Sequence, residues 1–137
     1  MATKFRCTLV TPEQQVLDGD VTYASIPAHD GQIGLMPGRA PLVAKLGDGA
    51  LRLDFVDGGS RWFFVGGGFA QMKDNKLSLV ADEAVPADQI VKATAEADLR
   101  AGLAKIARTD AEVERKMRAI ARAREMVAIH EKAGGKI

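Results

Sequence analysis

Asn75-Lys76-Leu77-Ser78-Leu79-Val80-Ala81-Asp82-Glu83-Ala84-Val85-Pro86-Ala87 is the stretch on which the fold turns. Residues 76–81 read as a strand that leaves an Asp74-Asn75 turn, and Val85-Pro86 closes that style of sequence. All five prolines (Pro12, Pro27, Pro37, Pro41, Pro86) and 11 of the 14 glycines lie at or before Pro86. Charge changes at the same place: residues 1–86 carry 8 Lys+Arg against 10 Asp+Glu, and residues 87–137 carry 11 against 8, so the two parts have net charges of −2 and +3. Such a shift marks a domain boundary near Pro86. It predicts an α+β chain, with a β domain over 1–86 and a helical domain over 87–137.

Upstream of the boundary the pattern is strand and turn throughout. Phe5-Arg6-Cys7-Thr8-Leu9-Val10 alternates with period two and stops at Thr11-Pro12-Glu13. Val16-Leu17 leads through Asp18-Gly19-Asp20, a turn or bulge signal, to Val21-Thr22-Tyr23-Ala24-Ser25-Ile26, rich in β-formers. Further short strands are expected at 33–36, 41–46, 50–56, 61–65 and 68–73, separated by turn residues. Eight to ten short strands at this spacing make a β-sandwich or barrel. Gly66-Gly67-Gly68 has neither the Lys-Ser/Thr nor the following helix of a phosphate-binding loop, and reads as a kink or bulge within a strand.

Downstream, Ala87 to about Ala107 is rich in helix formers, with Leu99, Leu103 and Ile106 at the spacing of one helical face. Gly102 inside it points to close packing or weakness. Thr109-Asp110-Ala111-Glu112 fits a capping box that starts a second helix, running to about Lys132 before Gly134-Gly135. Val113, Met117, Ile120 and Val127 form a narrow apolar seam for an antiparallel partner, giving a two-helix hairpin. Arg115, Lys116, Arg118, Arg122 and Arg124 form a basic stretch with two readings, a solvated face paired with glutamates or a contact for something acidic. A nucleic-acid or protein-binding module built on this hairpin is the alternative function, although the hairpin has no aromatics for base stacking.

Composition narrows the classes. A chain of 137 residues with 47% hydrophobic and 27% charged residues holds one ordinary domain or two small ones, not a large enzyme. No apolar run suits a membrane span, and the start shows no signal or transit pattern, which leads to an expected cytoplasmic location. The single cysteine, Cys7, sits in a strand pattern and reads as structural. His29 and His130 lack partners at ligand spacing, so no metal is expected. No Gly-x-Ser-x-Gly elbow and no activated nucleophile is visible, so no catalytic residues are assigned and the chain reads as a non-enzyme.

Several segments together resemble one family. Thr11-Pro12-Glu13-Gln14-Gln15-Val16 before Gly19, the run Ile26 to Leu42, Phe63-Phe64-Val65-Gly66-Gly67-Gly68-Phe69, and Asn75 to Ala84 are similar to the epsilon subunits of bacterial F-type ATP synthases. The most specific element is Gly-x-x-Gly-x-x-Pro-Gly-x-Ala-Pro-Leu, from Gly31 to Leu42. The resemblance covers the whole chain, because that family places an antiparallel helical pair after a β-sandwich.

The resemblance implies a noncatalytic subunit of the rotor central stalk that helps couple proton flow to ATP synthesis. It lies peripherally on the cytoplasmic face of the bacterial inner membrane, attached through the complex. Gln32 and Arg39 fall where family members touch the c-subunit rotor ring, and Thr11 and Val43 fall near the gamma subunit. Acid is common at the first of these positions and histidine at the second, so the charge pattern here differs. The hairpin's basic stretch, Arg115, Arg118, Arg122 and Arg124, matches the helix that meets the alpha and beta subunits of the catalytic head and inhibits hydrolysis. No cofactor is implied. Some members bind ATP as a regulatory ligand in the folded hairpin; Arg118 and Arg122 match half of that site. Its Asp-x-x-Arg-Ala half is missing, since Gln89-Ile90-Val91-Lys92-Ala93 lacks both charges and Asp98-Leu99-Arg100-Ala101 has the wrong spacing. Nucleic acid is not implied as a partner.

Overall fold

The computed structural model describes residues 3–134. The chain separates into two compact units at the Pro86–Ala87 junction. The first holds seven strands: β1 (Phe5–Val10), β2 (Gln15–Ala28), β3 (Gly31–Leu35), β4 (Leu42–Leu46), β5 (Gly49–Phe55), β6 (Ser60–Lys73) and β7 (Lys76–Pro86). Their pairing closes on itself, β1 to β7 to β6 to β5 to β2 and back to β1, with β3 at the free edge of β2 and β4 against β6. Among the described residues only the β1–β7 pair is parallel.

Seven strands replace the expected eight to ten because two pairs of short runs are continuous. Residues 16–17 and 21–26 join across Asp18-Gly19-Asp20 in β2, and 61–65 and 68–73 join across Gly66-Gly67-Gly68 in β6. Glycine lets the second join happen. Gly67 and Gly68 have φ of 70° and 117°, and a Cβ on Gly68 would collide with the Val80 carbonyl oxygen. The chain therefore bends at the triplet without leaving the sheet. The first half of β6 pairs with β5 and the second with β4, while β7 follows both.

Alternation builds the core. Phe5, Cys7 and Leu9 from β1, Leu51 and Leu53 from β5, and Leu77, Leu79 and Ala81 from β7 are buried together with Val21, Ile26, Phe63 and Met72. Cys7 packs as a small hydrophobe. Burial, reinforced by the negative charge of Asp18, pushes its thiol pKa up to about 12, so it is held neutral and unreactive. Asp74 and Asn75 have φ of 52° and 60°, the left-handed pair of a two-residue hairpin turn between β6 and β7.

The second unit opens with a 3₁₀ turn (Ala87–Gln89), followed by α1 (Lys92–Ala104) and α2 (Asp110–Gly134). The first helix is shorter than the expected Ala87 to Ala107. Val91 at its N-cap is extended and offers no capping side chain, and Lys105 at its C-cap is extended too. Its covered side is also different: Ala95 and Gly102 are buried and Leu99 half-buried, while Leu103 and Ile106 are exposed. The reason is Gly102, where an added Cβ would stand 3.1 Å from Ile120 Cγ1. The helices approach along their small residues. A Lys92–Glu131 ion pair at 3.5 Å shows that they run antiparallel.

The capping box is present. Glu112 N–H donates to Thr109 Oγ1 at 3.1 Å, and Arg108 N–H donates to the Glu112 carboxylate at 2.7 Å. The apolar seam of α2 departs from Val113, Met117, Ile120 and Val127. Ile120, Ala123, Met126 and Ile129 are buried, Val127 is half-buried, and Val113 and Met117 are exposed. With Gly102 opposite Ile120, α1 ends before it can cover the first two turns of α2, and only the non-helical 105–109 connection accompanies them.

Candidate functional site

The segment 31–42 begins as an edge strand. β3 pairs only with β2, in the register Pro27↔Gln32, Ile26↔Ile33 and Ser25↔Gly34. Gln32 lies along the sheet, and its Nε2 donates to Ser25 Oγ at 2.9 Å and to the Ala50 carbonyl at 3.2 Å. Its amide nitrogen is thus held, leaving the carbonyl end of an exposed side chain for a partner.

After β3 the chain turns through Met36-Pro37-Gly38. Arg39 N–H donates to the Met36 carbonyl at 3.2 Å, and Gly38 has a φ of 80°. The turn is tied down from outside by Asn75. Its Oδ1 accepts the Gly38 N–H at 3.0 Å, its Nδ2 donates to the Lys4 carbonyl, and its own carbonyl accepts Arg6 N–H at 3.2 Å. One left-handed asparagine therefore joins the loop before β4, the start of β1 and the β6–β7 turn. Arg39 stands exposed on this anchored loop, its Nη1 3.4 Å from the Ala40 carbonyl. Gln32 is the second residue of β3, and Arg39 follows four residues after the strand ends, in the turn.

Thr11 and Val43 are related differently. Val43 on β4 is 71% exposed, and its strand pairs with β6 in the register Val43↔Gln71 and Lys45↔Phe69. Phe69 pairs with Val80, and Val80 with Val10, which precedes Thr11. Thr11 closes a tight turn, its N–H and hydroxyl both donating to the Gln14 carbonyl at 2.9 and 3.3 Å. Four strands thereby carry Val10, Val80, Phe69 and Val43 on the side of the sheet away from the core. Phe69 and Val80 are 59% and 53% exposed. Sequence reasoning missed both; the available signal was a large apolar residue in the outward phase of a strand whose inward phase is already apolar.

Acid and base flank this face on β1 and β2. Arg6 sits 2.7 Å from Asp18 and 3.4 Å from Asp20, and Lys4 reaches Asp20 at 3.4 Å. The hydrogen bond between Arg6 and Asp18, with their mutual attraction, raises the guanidinium pKa and lowers that of the carboxyl.

The arginines of α2 do not form one group. At about 100° per residue, Arg115, Arg118 and Arg122 fall within about 60° of each other, and Arg124 points to the opposite side. Arg122 lines an open pocket of about 290 Å³ with Asp98, Ala101, Gly102, Lys105, Ala119 and Ala123. Arg118 lies one turn before Arg122 on the same arc but outside that lining, to which Lys105 and Asp98 add one further positive and one negative charge. Among the described residues no group of three or more His, Cys, Asp or Glu could hold a metal ion.

Residues 4–87 match the family described as the ATP synthase, Delta/Epsilon chain, beta-sandwich domain. An ATP synthase epsilon chain from Rhodopirellula baltica is 43% identical over 83 residues, covering 61% of this chain and 64% of that relative. One from Pelotomaculum thermopropionicum is 36% identical over 95 residues, covering 69% and 70%, and one from Nitratidesulfovibrio vulgaris is 34% identical over 90 residues, covering 66% of each. The matched part thus spans under two thirds of the Rhodopirellula chain's length. Two solved structures share the fold. A chain of the Euglena gracilis mitochondrial ATP synthase OSCP/F1/c-ring assembly has a TM-score of 0.75 at 21% identity, covering 99% of this chain and 82% of that one. A chain of the Tetrahymena thermophila mitochondrial ATP synthase central stalk/c-ring has a TM-score of 0.58 at 19% identity, covering 93% and 94%. A β-sandwich matched from its first strand to its last, followed by a helical pair, makes this chain a member of the ATP synthase delta/epsilon chain family.

Proposed function

We propose that the chain is a noncatalytic epsilon-type subunit of the rotor central stalk of an F-type ATP synthase, coupling proton flow to ATP synthesis. The observation that carries this reading is the family match over 4–87, which includes the whole of the anchored 31–42 segment. Three relatives bear the name ATP synthase epsilon chain, and both solved neighbours come from ATP synthase assemblies. In this reading the β3 edge, with Gln32 at one end and Arg39 beyond the other, meets the c-subunit ring. The outward face bearing Val43, extended by Phe69 and Val80 and bordered by Thr11, holds the gamma subunit. The subunit would sit peripherally at the cytoplasmic face of a bacterial inner membrane; no described helix is long and apolar enough to cross one.

The helical unit acts as the brake on hydrolysis, and the arc of Arg115, Arg118 and Arg122 is the surface offered to the acidic alpha and beta subunits. Arg124 stands apart from that arc. Regulatory ATP at Arg118 and Arg122 does not form part of the proposal, because the first helix lacks the Asp-x-x-Arg-Ala half of such a site. The nucleic-acid alternative draws no support from the family.

Membranes stripped of this subunit supply the test. Adding back the full chain should restore ATP-driven proton pumping and suppress futile hydrolysis. Arg115, Arg118 and Arg122 replaced together by Ala should restore pumping and leave hydrolysis high. A full chain that neither binds nor restores pumping overturns the assignment; unchanged suppression by the triple variant overturns the role of the arginines.

A further inference from the structure

The helical pair has two unlike sides. Asp98, Gly102, Lys105, Ala119 and Arg122 line the pocket on one of them. At about 100° per residue, Leu103 of α1 and Val113 and Met117 of α2 turn to the other. They are 51%, 45% and 57% exposed.

On α2 this side is an ordered stripe. Asp110, Val113, Met117, Ala121 and Arg124 follow at intervals of three, four, four and three, which keeps them within about 80° on the helix, and all five are exposed. The stripe is symmetric about Met117 in spacing and opposite in charge at its two ends: acid, apolar, apolar, apolar, base. Neither Asp110 nor Arg124 makes an ion pair among the described residues.

A stripe of this kind complements itself when reversed. Two copies of α2, antiparallel about a two-fold axis at Met117, set Met117 on Met117 and each Val113 on the partner's Ala121. Each Asp110 then meets the partner's Arg124, so the symmetry makes the ion pair twice. This is the isologous arrangement of a C₂ dimer. A parallel arrangement would instead stack acid on acid and base on base. We propose that this stripe is a self-association surface, and that its partner is a second copy of the same chain with α2 antiparallel. The proposal does not depend on the rotor assignment, since it concerns the free chain.

The stripe covers four turns of one helix, well below the roughly 1,200–2,000 Å² of stable complexes, so a weak dimer with a Kd on the order of 100 μM is expected. Sedimentation equilibrium of the full chain from about 10 μM to about 1 mM at low salt would read it. Asp110→Lys and Arg124→Glu each create two like-charge contacts and should weaken pairing about tenfold or more. An equimolar mixture of the two variants restores opposite charges at both contacts and should form a one-to-one dimer near wild-type affinity. Met117→Glu should abolish pairing. Far-UV circular dichroism checks that α2 persists; where Asp110→Lys shortens it, Arg124→Glu and Met117→Glu carry the test. A chain that stays monomeric throughout overturns the proposal. So does a mixture that pairs no better than its components, or Met117→Glu pairing as the wild type does.

Discussion

Asn75 joins three segments through one side chain and one unusual backbone conformation, and the two contributions separate experimentally. Replacing it by Gly keeps the φ of 60° at no steric cost but deletes the bonds to Gly38 N–H and the Lys4 carbonyl. Both bonds are exposed, so each belongs at the low end of the net range, about 0.5 kcal/mol, for a loss of about 1 kcal/mol. Replacing it by Ala deletes the same bonds and adds the left-handed penalty of a side chain with no local hydrogen bonding, about 1–2 kcal/mol, for a loss of about 2–3 kcal/mol. Urea unfolding followed by near-UV circular dichroism should therefore rank wild type above Asn75→Gly and Asn75→Ala last. For a unit of this size about 1 kcal/mol corresponds to roughly 4–8 °C in Tm. Hydrogen exchange should show the Gly38 amide opening in both variants. Equal losses for Gly and Ala would refute the backbone part of the reasoning, and unchanged protection at Gly38 would refute the anchoring part.

Three further outcomes are expected. Gly68→Ala sets a Cβ against the Val80 carbonyl at a φ of 117°, which no rotamer relieves, so it should cost more than about 3 kcal/mol or prevent folding, as read by chemical denaturation. Thr109→Ala removes the hydroxyl that accepts Glu112 N–H and should lower the stability of the helical unit by about 1 kcal/mol, followed by ellipticity at 222 nm. Cys7 titrates near 9.0 when unfolded and at about 12 when folded, so between those values the unfolded chain binds fewer protons and stability falls as pH rises, by up to about 1.4 kcal/mol per pH unit. Cys7→Ala should flatten that part of the stability–pH curve, and an identical slope would show that folding does not shift the thiol's titration.

Local patterns in the chain were sufficient for the boundary at Pro86, the alternation of β1 and β7, and the capping box at Thr109 and Glu112. Each depends on residues a few positions apart and on intrinsic backbone preferences. The 31–42 motif and Val43 were singled out by the family resemblance, not by periodicity. The exposure of Phe69 and Val80 was not visible, because their outward phase matters only once β6 lies beside β4 and β7.

The sequence by itself determined where strands give way to helices, which residues alternate inward and where the second helix begins, because those properties follow from period, glycine and proline placement and capping chemistry. The tertiary structure alone decided that β6 pairs with β5 before its glycine kink and with β4 after it, that Asn75 ties the motif loop to β1, and that Gly102 turns the small side of α1 toward Ile120. Those outcomes rest on contacts between residues distant in the chain. The register that makes such contacts is settled by steric fit and hydrogen bonding in the packed unit, to which periodicity is blind.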